Sequence, residues 1–208
     1  IFANKPDLTP TKILKQMETA LRKKLGDTIG VHSGNLAVTI KYKDGPEIQI
    51  IPCIKTNNGI RIPNFENNTW SSADPSKFAN TLTKSNEKCN GKLIPTIKLA
   101  KAINATLPEK LQLTGYHIET LAVTAFQGYT ETKTTSSMLP HFFKKASELV
   151  LKPITDKTGQ STHVDEYLGK ANSTERKMVS HTLDRLYRRM FNASAANSKD
   201  RWKELFGE

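Results

Sequence analysis

The sequence contains little cysteine and no long apolar run. Its two cysteines, Cys53 and Cys89, form no CxxC spacing, and they are too few for the disulfide framework of a small secreted domain. No stretch approaches the roughly 20 apolar residues that a membrane span requires, and the first residues lack the basic and apolar regions of a secretory signal. We therefore expect a cytoplasmic protein with reduced thiols and no membrane partner.

Acidic residues are scarce relative to basic ones. The 208 residues include 31 Lys or Arg and 20 Asp or Glu, so the formal net charge is +11. This balance favours anionic partners, with nucleotides and nucleic acid first. A basic surface that only keeps the protein soluble would have the same composition. The positions of the lysines decide between the two interpretations.

The first 70 residues show the pattern of a helix followed by a small sheet. Thr9 and Pro10 begin an apolar stripe at helical spacing, which Gly26 ends. Residues 36–42 then alternate as in a half-buried strand. The sequence Asp44-Gly45-Pro46 predicts a turn into a returning strand over residues 47–54, and a further short strand is predicted at 59–63.

Beyond residue 70 the apolar period becomes helical. Helices are predicted over residues 75–88, 93–106, 114–128, 136–151, 172–192 and 199–206. A small sheet followed by a helical bundle indicates an α+β fold and not an alternating doubly wound one. We divide the chain into a sheet region, 1–70, and a helical region, 71–208, and expect the two to form one compact unit.

Lys98 and Lys101 are candidate phosphate ligands. They lie three residues apart on one flank of the helix predicted over 93–106. Neighbouring ammonium groups repel each other unless solvent or an anion lies between them, and a polyphosphate would take that place. A solvated helix face is the plainer interpretation of the same spacing.

Thr114, Gly115 and Tyr116 open the next predicted helix. A helix N-terminus attracts phosphate through its free amide groups and its dipole. A tyrosine at that place can stack on a base, although packing alone would also account for Tyr116. The five histidines, among them His117, have neither the spacing of a zinc site nor that of a catalytic triad, and we interpret them as core or surface residues.

Several short segments follow one another in an order that is more specific than any one of them. They are residues 47–54, Trp70 with Asp74-Pro75, Ile97-Lys98-Leu99-Ala100-Lys101, residues 115–121, and residues 152–161 and 163–169. In this order they resemble the oligoadenylate synthase and cyclic GMP-AMP synthase superfamily, and best the bacterial cGAS/DncV-like nucleotidyltransferases of antiphage signalling. The resemblance implies a nucleotidyltransferase (polymerase-beta-like) fold, with a small mixed sheet followed by an oligoadenylate-synthase-like helical bundle.

The resemblance also implies nucleotidyl transfer supported by two Mg²⁺ (or Mn²⁺) ions, which three carboxylates hold. Two of these carboxylates belong to a Gly-Ser…Asp-x-Asp pattern that is absent, since Ser33-Gly34-Asn35 is followed by no acidic pair. We expect this missing N-terminal part upstream of Ile1. Gln49 stands at the third position, where its amide oxygen would reach a metal without negative charge. A natural variant, an engineered or degenerate site, and an orienting role remain open.

The resemblance assigns nucleotide binding to Lys98, Lys101, Thr114, Gly115, Tyr116 and Asp165. Lys101, with Lys98, matches the lysines that contact the donor triphosphate, and Tyr116 matches the residue that stacks on the donor base. Gly115 stands where relatives often have a serine touching phosphate, so that contact is lost or passes to Thr114. Asp165 lies in the C-terminal part that closes over the nucleotide pocket.

The implied function is a cyclic oligonucleotide synthase for antiphage defence. It would join ATP, alone or with another nucleotide such as GTP, into a cyclic di- or trinucleotide second messenger, and this chain would be an incomplete or inactive form. The alternative is a non-catalytic nucleotidyltransferase-like module that binds nucleotide, RNA or a protein. The expected partners are nucleotides and regulatory or effector proteins of an antiphage operon, while nucleic acid is not required.

Overall fold

A computed structural model describes residues 9–26, 29–45, 47–56, 59–64, 68–156 and 163–208. The chain folds into two compact units, one that ends at Pro75 and one that begins at Ser76. The division at residue 70 into a sheet region and a helical region stays a prediction. In the part of the chain that the structure describes, no helix combines the length and apolarity of a membrane span.

Helix α1 (Pro10–Leu25) confirms the first predicted helix. Pro10 occupies the first helical position, where its missing N–H costs nothing. Gly26 ends the helix with a φ of 76°, which glycine adopts without strain, and its N–H donates to the Arg22 carbonyl at 3.0 Å. Ile13 and Leu14 are buried on one face of the helix.

The first sheet has three antiparallel strands in the order β1 (Gly30–Ser33), β2 (Val38–Lys41) and β3 (Glu47–Ile50). Val31 and Val38 are buried against Leu14 of α1. The predicted hairpin is confirmed, because Lys41 pairs with Glu47; Pro46 of its turn lies outside the described residues. Strand β1 was not predicted, since its four residues show too short an alternation to stand out.

The second sheet contains β4 (Ile54–Thr56), β5 (Gly59–Asn64) and β6 (Thr69–Ala73), again antiparallel and in chain order. A single strand over residues 47–54 is therefore wrong: β3 ends at Ile50, and Ile54 begins a strand of the other sheet. Pro52, between them, has no N–H to donate to a sheet. The described strands thus form two antiparallel sheets where one small mixed sheet was expected. Strand β6 was not predicted, because it is largely polar.

The second unit is helical, and all its predicted helices are confirmed to within three residues at each end. They are α2 (Pro75–Lys88), α3 (Leu93–Ala105), α4 (Gly115–Ala125), α5 (Thr135–Leu149), α6 (Thr174–Ala195) and α7 (Lys199–Leu205). Short 3-10 turns lie at Glu109–Leu111 and Glu166–Leu168. The α+β class is confirmed.

The core of the helical unit fixes the position of α4. Leu93 and Ile103 of α3, Leu121 of α4 and Met138 of α5 are fully buried in one apolar cluster with Met190 of α6. Helix α4 packs against both α3 and α5. Side chains on α3 can therefore reach the first turn of α4, where the predicted nucleotide ligands lie.

Candidate nucleotide-binding site

The N-terminus of α4 is held in place by its cap and by its buried face. Thr114 is the N-cap, with extended backbone, and its hydroxyl accepts the N–H of His117 at 3.3 Å. His117 and Ile118, which follow Tyr116, are buried. Thr114 and Gly115 themselves are exposed. The first turn of α4 therefore lies at the surface of its unit, in a fixed orientation.

Lys101 reaches this turn from α3. Its Nζ lies 2.6 Å from Glu119 Oε1, and only 3.3 Å from the place that a Cβ on residue 115 would occupy. The ammonium thus lies beside Gly115 because that residue has no side chain. A cation at this end of a helix opposes the helix dipole, and the Glu119 carboxylate offsets that repulsion. The predicted ligands Lys101, Thr114 and Gly115 are brought together.

Lys98 lies one turn before Lys101 on α3 and is exposed. No ion pair is formed by Lys98 with any described residue of the chain. Its charge is available to an anion that approaches α3 from solvent.

Tyr116 is anchored at two places. Its ring meets the edge of Phe78, with centroids 4.9 Å apart and planes at 77°, and its hydroxyl donates to Asp156 Oδ1 at 2.9 Å. The aromatic contact is the packing that the sequence left as an alternative. A half-buried ring held in this way is also pre-organised to stack on a base. That second role stays a prediction.

A chain of polar contacts extends inward from Thr114. The N–H of Thr114 donates to the Tyr167 hydroxyl at 3.2 Å, and that hydroxyl lies 2.8 Å from Nδ1 of His117. Because Nε2 of the same ring faces the Asp165 carboxylate, we assign the imidazole proton to Nε2, and Nδ1 then accepts the proton of the Tyr167 hydroxyl.

Burial lowers the pKa of His117 to about 4; the Asp165 carboxylate raises it in part, and Arg176 lowers it further. The imidazole is therefore neutral at neutral pH. Its Nε2 lies 3.6 Å from Asp165 Oδ2. Among the described residues, this is the one buried side-chain nitrogen or oxygen without a hydrogen-bond partner.

Asp165 is fully buried and faces protein groups. One carboxylate oxygen lies 2.6 Å from Nη1 of Arg176, and the other accepts the N–H of Ile154 at 3.0 Å. Arg176 is equally buried. In this arrangement the carboxylate has no free face for a ligand, and its connection to the first turn of α4 passes through His117 and Tyr167. A direct contact of Asp165 with nucleotide stays a prediction.

Comparisons with known proteins support one fold. Residues 1–86 match the family model of the Second Messenger Oligonucleotide or Dinucleotide Synthetase domain. The structure resembles Escherichia coli DncV in its 3′-deoxy GTP bound form, with a TM-score of 0.74 at 14% identity. It resembles E. coli MS115-1 CdnC with ATP equally well, at 0.74 and 13%. By fold, and by the domain match over residues 1–86, the chain is similar to cGAS/DncV-like nucleotidyltransferases.

The structural similarity to these enzymes extends along almost the whole chain. DncV and CdnC match 99% and 100% of it, while the chain spans 58% of DncV and 75% of CdnC. CdnG of Bradyrhizobium diazoefficiens in complex with GTP matches 97% of the chain with a TM-score of 0.67 at 14% identity, over 72% of its own length. No curated protein sequence matches at a significant level. The resemblance inferred from the sequence is confirmed.

The described residues do not fit the metal site that this family implies. Gln49 lies on β3 opposite Thr39 and is exposed, and its side-chain amide donates to Glu47 Oε1 at 3.3 Å. No group of three or more His, Cys, Asp or Glu side chains able to hold a metal occurs within the described ranges. Gln49 as a metal ligand stays a prediction, and we derive no step through a metal.

Sequence reasoning missed Glu119, Tyr167, His117 and Arg176 as parts of this site. Glu119 lies four residues after Gly115, a spacing that places both on one side of α4. This spacing was the signal that could have placed Glu119 near the first turn of α4. Nothing local links Tyr167 or Arg176 to residue 114. Their contacts arise only from the packing of distant segments.

Proposed function

We propose that the complete protein is a cyclic oligonucleotide synthase that serves antiphage defence. It would join ATP, alone or with a second nucleotide such as GTP, into a cyclic di- or trinucleotide. The observation that carries this proposal is the match of residues 1–86 to a synthetase domain within a chain whose whole fold is synthase-like. The similar structures are described with a GTP analogue, ATP and GTP, which supports nucleoside triphosphates as substrates.

The geometry of the second unit supports binding of the donor nucleotide at the first turn of α4. The ammonium groups of Lys98 and Lys101 would contact the triphosphate, and the exposed first turn at Thr114 and Gly115 offers amide groups to a phosphate oxygen. The ring of Tyr116 would stack on the base, one position along the same turn. Phosphate and base would thus be bound by two helices, α3 and α4, that pack against each other.

Mg²⁺ or Mn²⁺ belongs to the proposal for the complete protein, where it would stabilise the attacking and leaving oxygens. The described residues provide no such site, so for this chain we propose nucleotide binding without synthesis. A non-catalytic module that binds nucleotide, RNA or a protein partner is the second candidate. The exposed amide at Gln49, in place of a carboxylate, favours it. We further propose a cytoplasmic location and regulatory or effector proteins as partners.

The first experiment tests what is proposed for this chain. The 208-residue chain is incubated with labelled ATP and GTP and magnesium, binding is measured by calorimetry, and products are separated by chromatography. We expect binding without a cyclic product, because the described residues offer no group of side chains able to hold the metal ions that would stabilise the transition state. A cyclic product from this chain would contradict that expectation.

The full-length protein, with whatever natural sequence extends beyond these 208 residues, is assayed in parallel. Synthesis there supports the enzyme. If it stays inactive, the same assay on Gln49→Asp in the complete protein distinguishes a repairable metal site from a binding module.

A further inference from the structure

Glu119 forms a close ionic contact at the first turn of α4. Its Oε1 lies 2.6 Å from the ammonium of Lys101, which belongs to another helix and lies 18 positions earlier in the chain. The two side chains are 27% and 38% exposed. Solvent therefore screens the pair only in part, and the contact restrains a side chain that would otherwise sample many rotamers.

The place of the Lys101 ammonium needs an explanation. It lies beside Gly115, at the positive end of the α4 dipole, where a cation is disfavoured. A lysine has a long flexible stem and would extend into solvent in the absence of an attracting group. Glu119 lies one turn inside α4 and supplies the attracting carboxylate. Because Gly115 has no side chain, the ammonium group has space beside it.

We propose that Glu119 is a positioning residue, which holds the Lys101 ammonium beside Gly115 so that it meets a phosphate of the bound nucleotide. This proposal rests on the proposed function. Glu119 itself does not contact the nucleotide in this arrangement. It acts through Lys101, and its effect should disappear when Lys101 is absent.

A double-mutant cycle tests this coupling in the 208-residue chain. Calorimetry measures the affinity for ATP of the unchanged chain, Glu119→Gln, Lys101→Ala and the double variant. We expect Glu119→Gln to weaken ATP binding roughly threefold to tenfold, the range for a partly exposed charged contact. In the Lys101→Ala background the same change should have no effect. Adenosine, which has no phosphate, should bind all four proteins alike.

The control is Glu148→Gln, which removes a carboxylate paired with Lys144 and Lys145 on α5. It changes the net charge equally and should leave ATP affinity unchanged. Unchanged or tighter ATP binding by Glu119→Gln would overturn the proposal, since the carboxylate would then compete with phosphate. An equal loss in both backgrounds, or a loss for adenosine, would also overturn it and indicate a structural role. Absence of ATP binding by the unchanged chain would instead refute the proposed function, and the positioning role with it.

Discussion

The carboxylate of Asp165 and the guanidinium of Arg176 form an ion pair 2.6 Å long in which neither side chain is exposed to solvent. Arg176 also donates to the carbonyls of Val150 and Gly169 at 2.9 Å. The pair therefore joins helix α6 to the segment that follows α5. Its other neighbour is His117 of α4, so it supports the candidate site from behind.

Replacing Asp165 by alanine should destabilise the protein strongly. The change leaves Arg176 buried without its anion, and breaking a buried pair in this way costs about 3–5 kcal/mol. Urea unfolding of the second unit would measure the loss. The matched control is Asp184→Ala, which breaks the more exposed pairs with Arg188 and Lys144 and should cost less than about 1 kcal/mol. Equal losses in the two variants would contradict the burial argument.

His117 should make stability depend on pH. Burial lowers the folded pKa of His117 from 6.5 to about 4, so the unfolded chain binds the proton more readily. The contribution is fully present above pH 6.5 and is lost as the pH falls towards 4. Between pH 7.5 and 5 we expect a loss of about 2 kcal/mol from this group.

The measurement is urea unfolding at both pH values for the unchanged protein and for His117→Gln, which does not titrate. The glutamine variant should lose this part of the pH dependence. The control is His181→Gln, which changes an exposed histidine. This variant should keep the pH dependence of the unchanged protein. A His117→Gln protein with an unaltered pH dependence would show that other groups cause it.

Tyr116 should contribute to ATP affinity mainly through its ring. Tyr116→Ala should weaken binding by about 1–3 kcal/mol, the usual range for base stacking. Tyr116→Phe should retain most of the affinity, because the edge contact with Phe78 survives although the hydrogen bond to Asp156 is lost. Calorimetry with ATP measures both, and Tyr187→Ala on α6 is the control. If phenylalanine binds as weakly as alanine, the hydroxyl anchor and not stacking determines affinity.

Changing Lys98 and Lys101 together to alanine should weaken ATP binding by a few kcal/mol, given roughly 1.5–3 kcal/mol for each hydrogen bond to a charged group. The fold should persist, since both side chains are partly or fully exposed. The control is a variant in which Lys144 and Lys145, two adjacent lysines of α5, are both changed to alanine. It alters the net charge equally and should not affect ATP binding. Unchanged affinity in the first variant would restore the interpretation of a solvated helix face.

The helices were predictable because their apolar period is local. Helix α2 begins and ends at the predicted residues, and Gly26 stops α1 where its sequence position indicates. The strands were less predictable, because segments of three to six residues show too few alternations to stand out. The break at Pro52, which separates two sheets, shows how a short apolar run can belong to two strands.

The helices and the α+β class could be predicted from the amino-acid sequence, because propensity and periodicity act over a few neighbouring residues. The order of the motifs separately indicated the resemblance to the synthases. The contacts within the site, in contrast, depend on tertiary packing. The Thr114 amide donates a hydrogen bond to Tyr167, 53 positions later in the chain. Lys101 of α3 pairs with Glu119 of α4. Such pairs depend on where packed helices place their side chains. That placement is set by buried residues spread over the whole unit, from Leu93 to Met190.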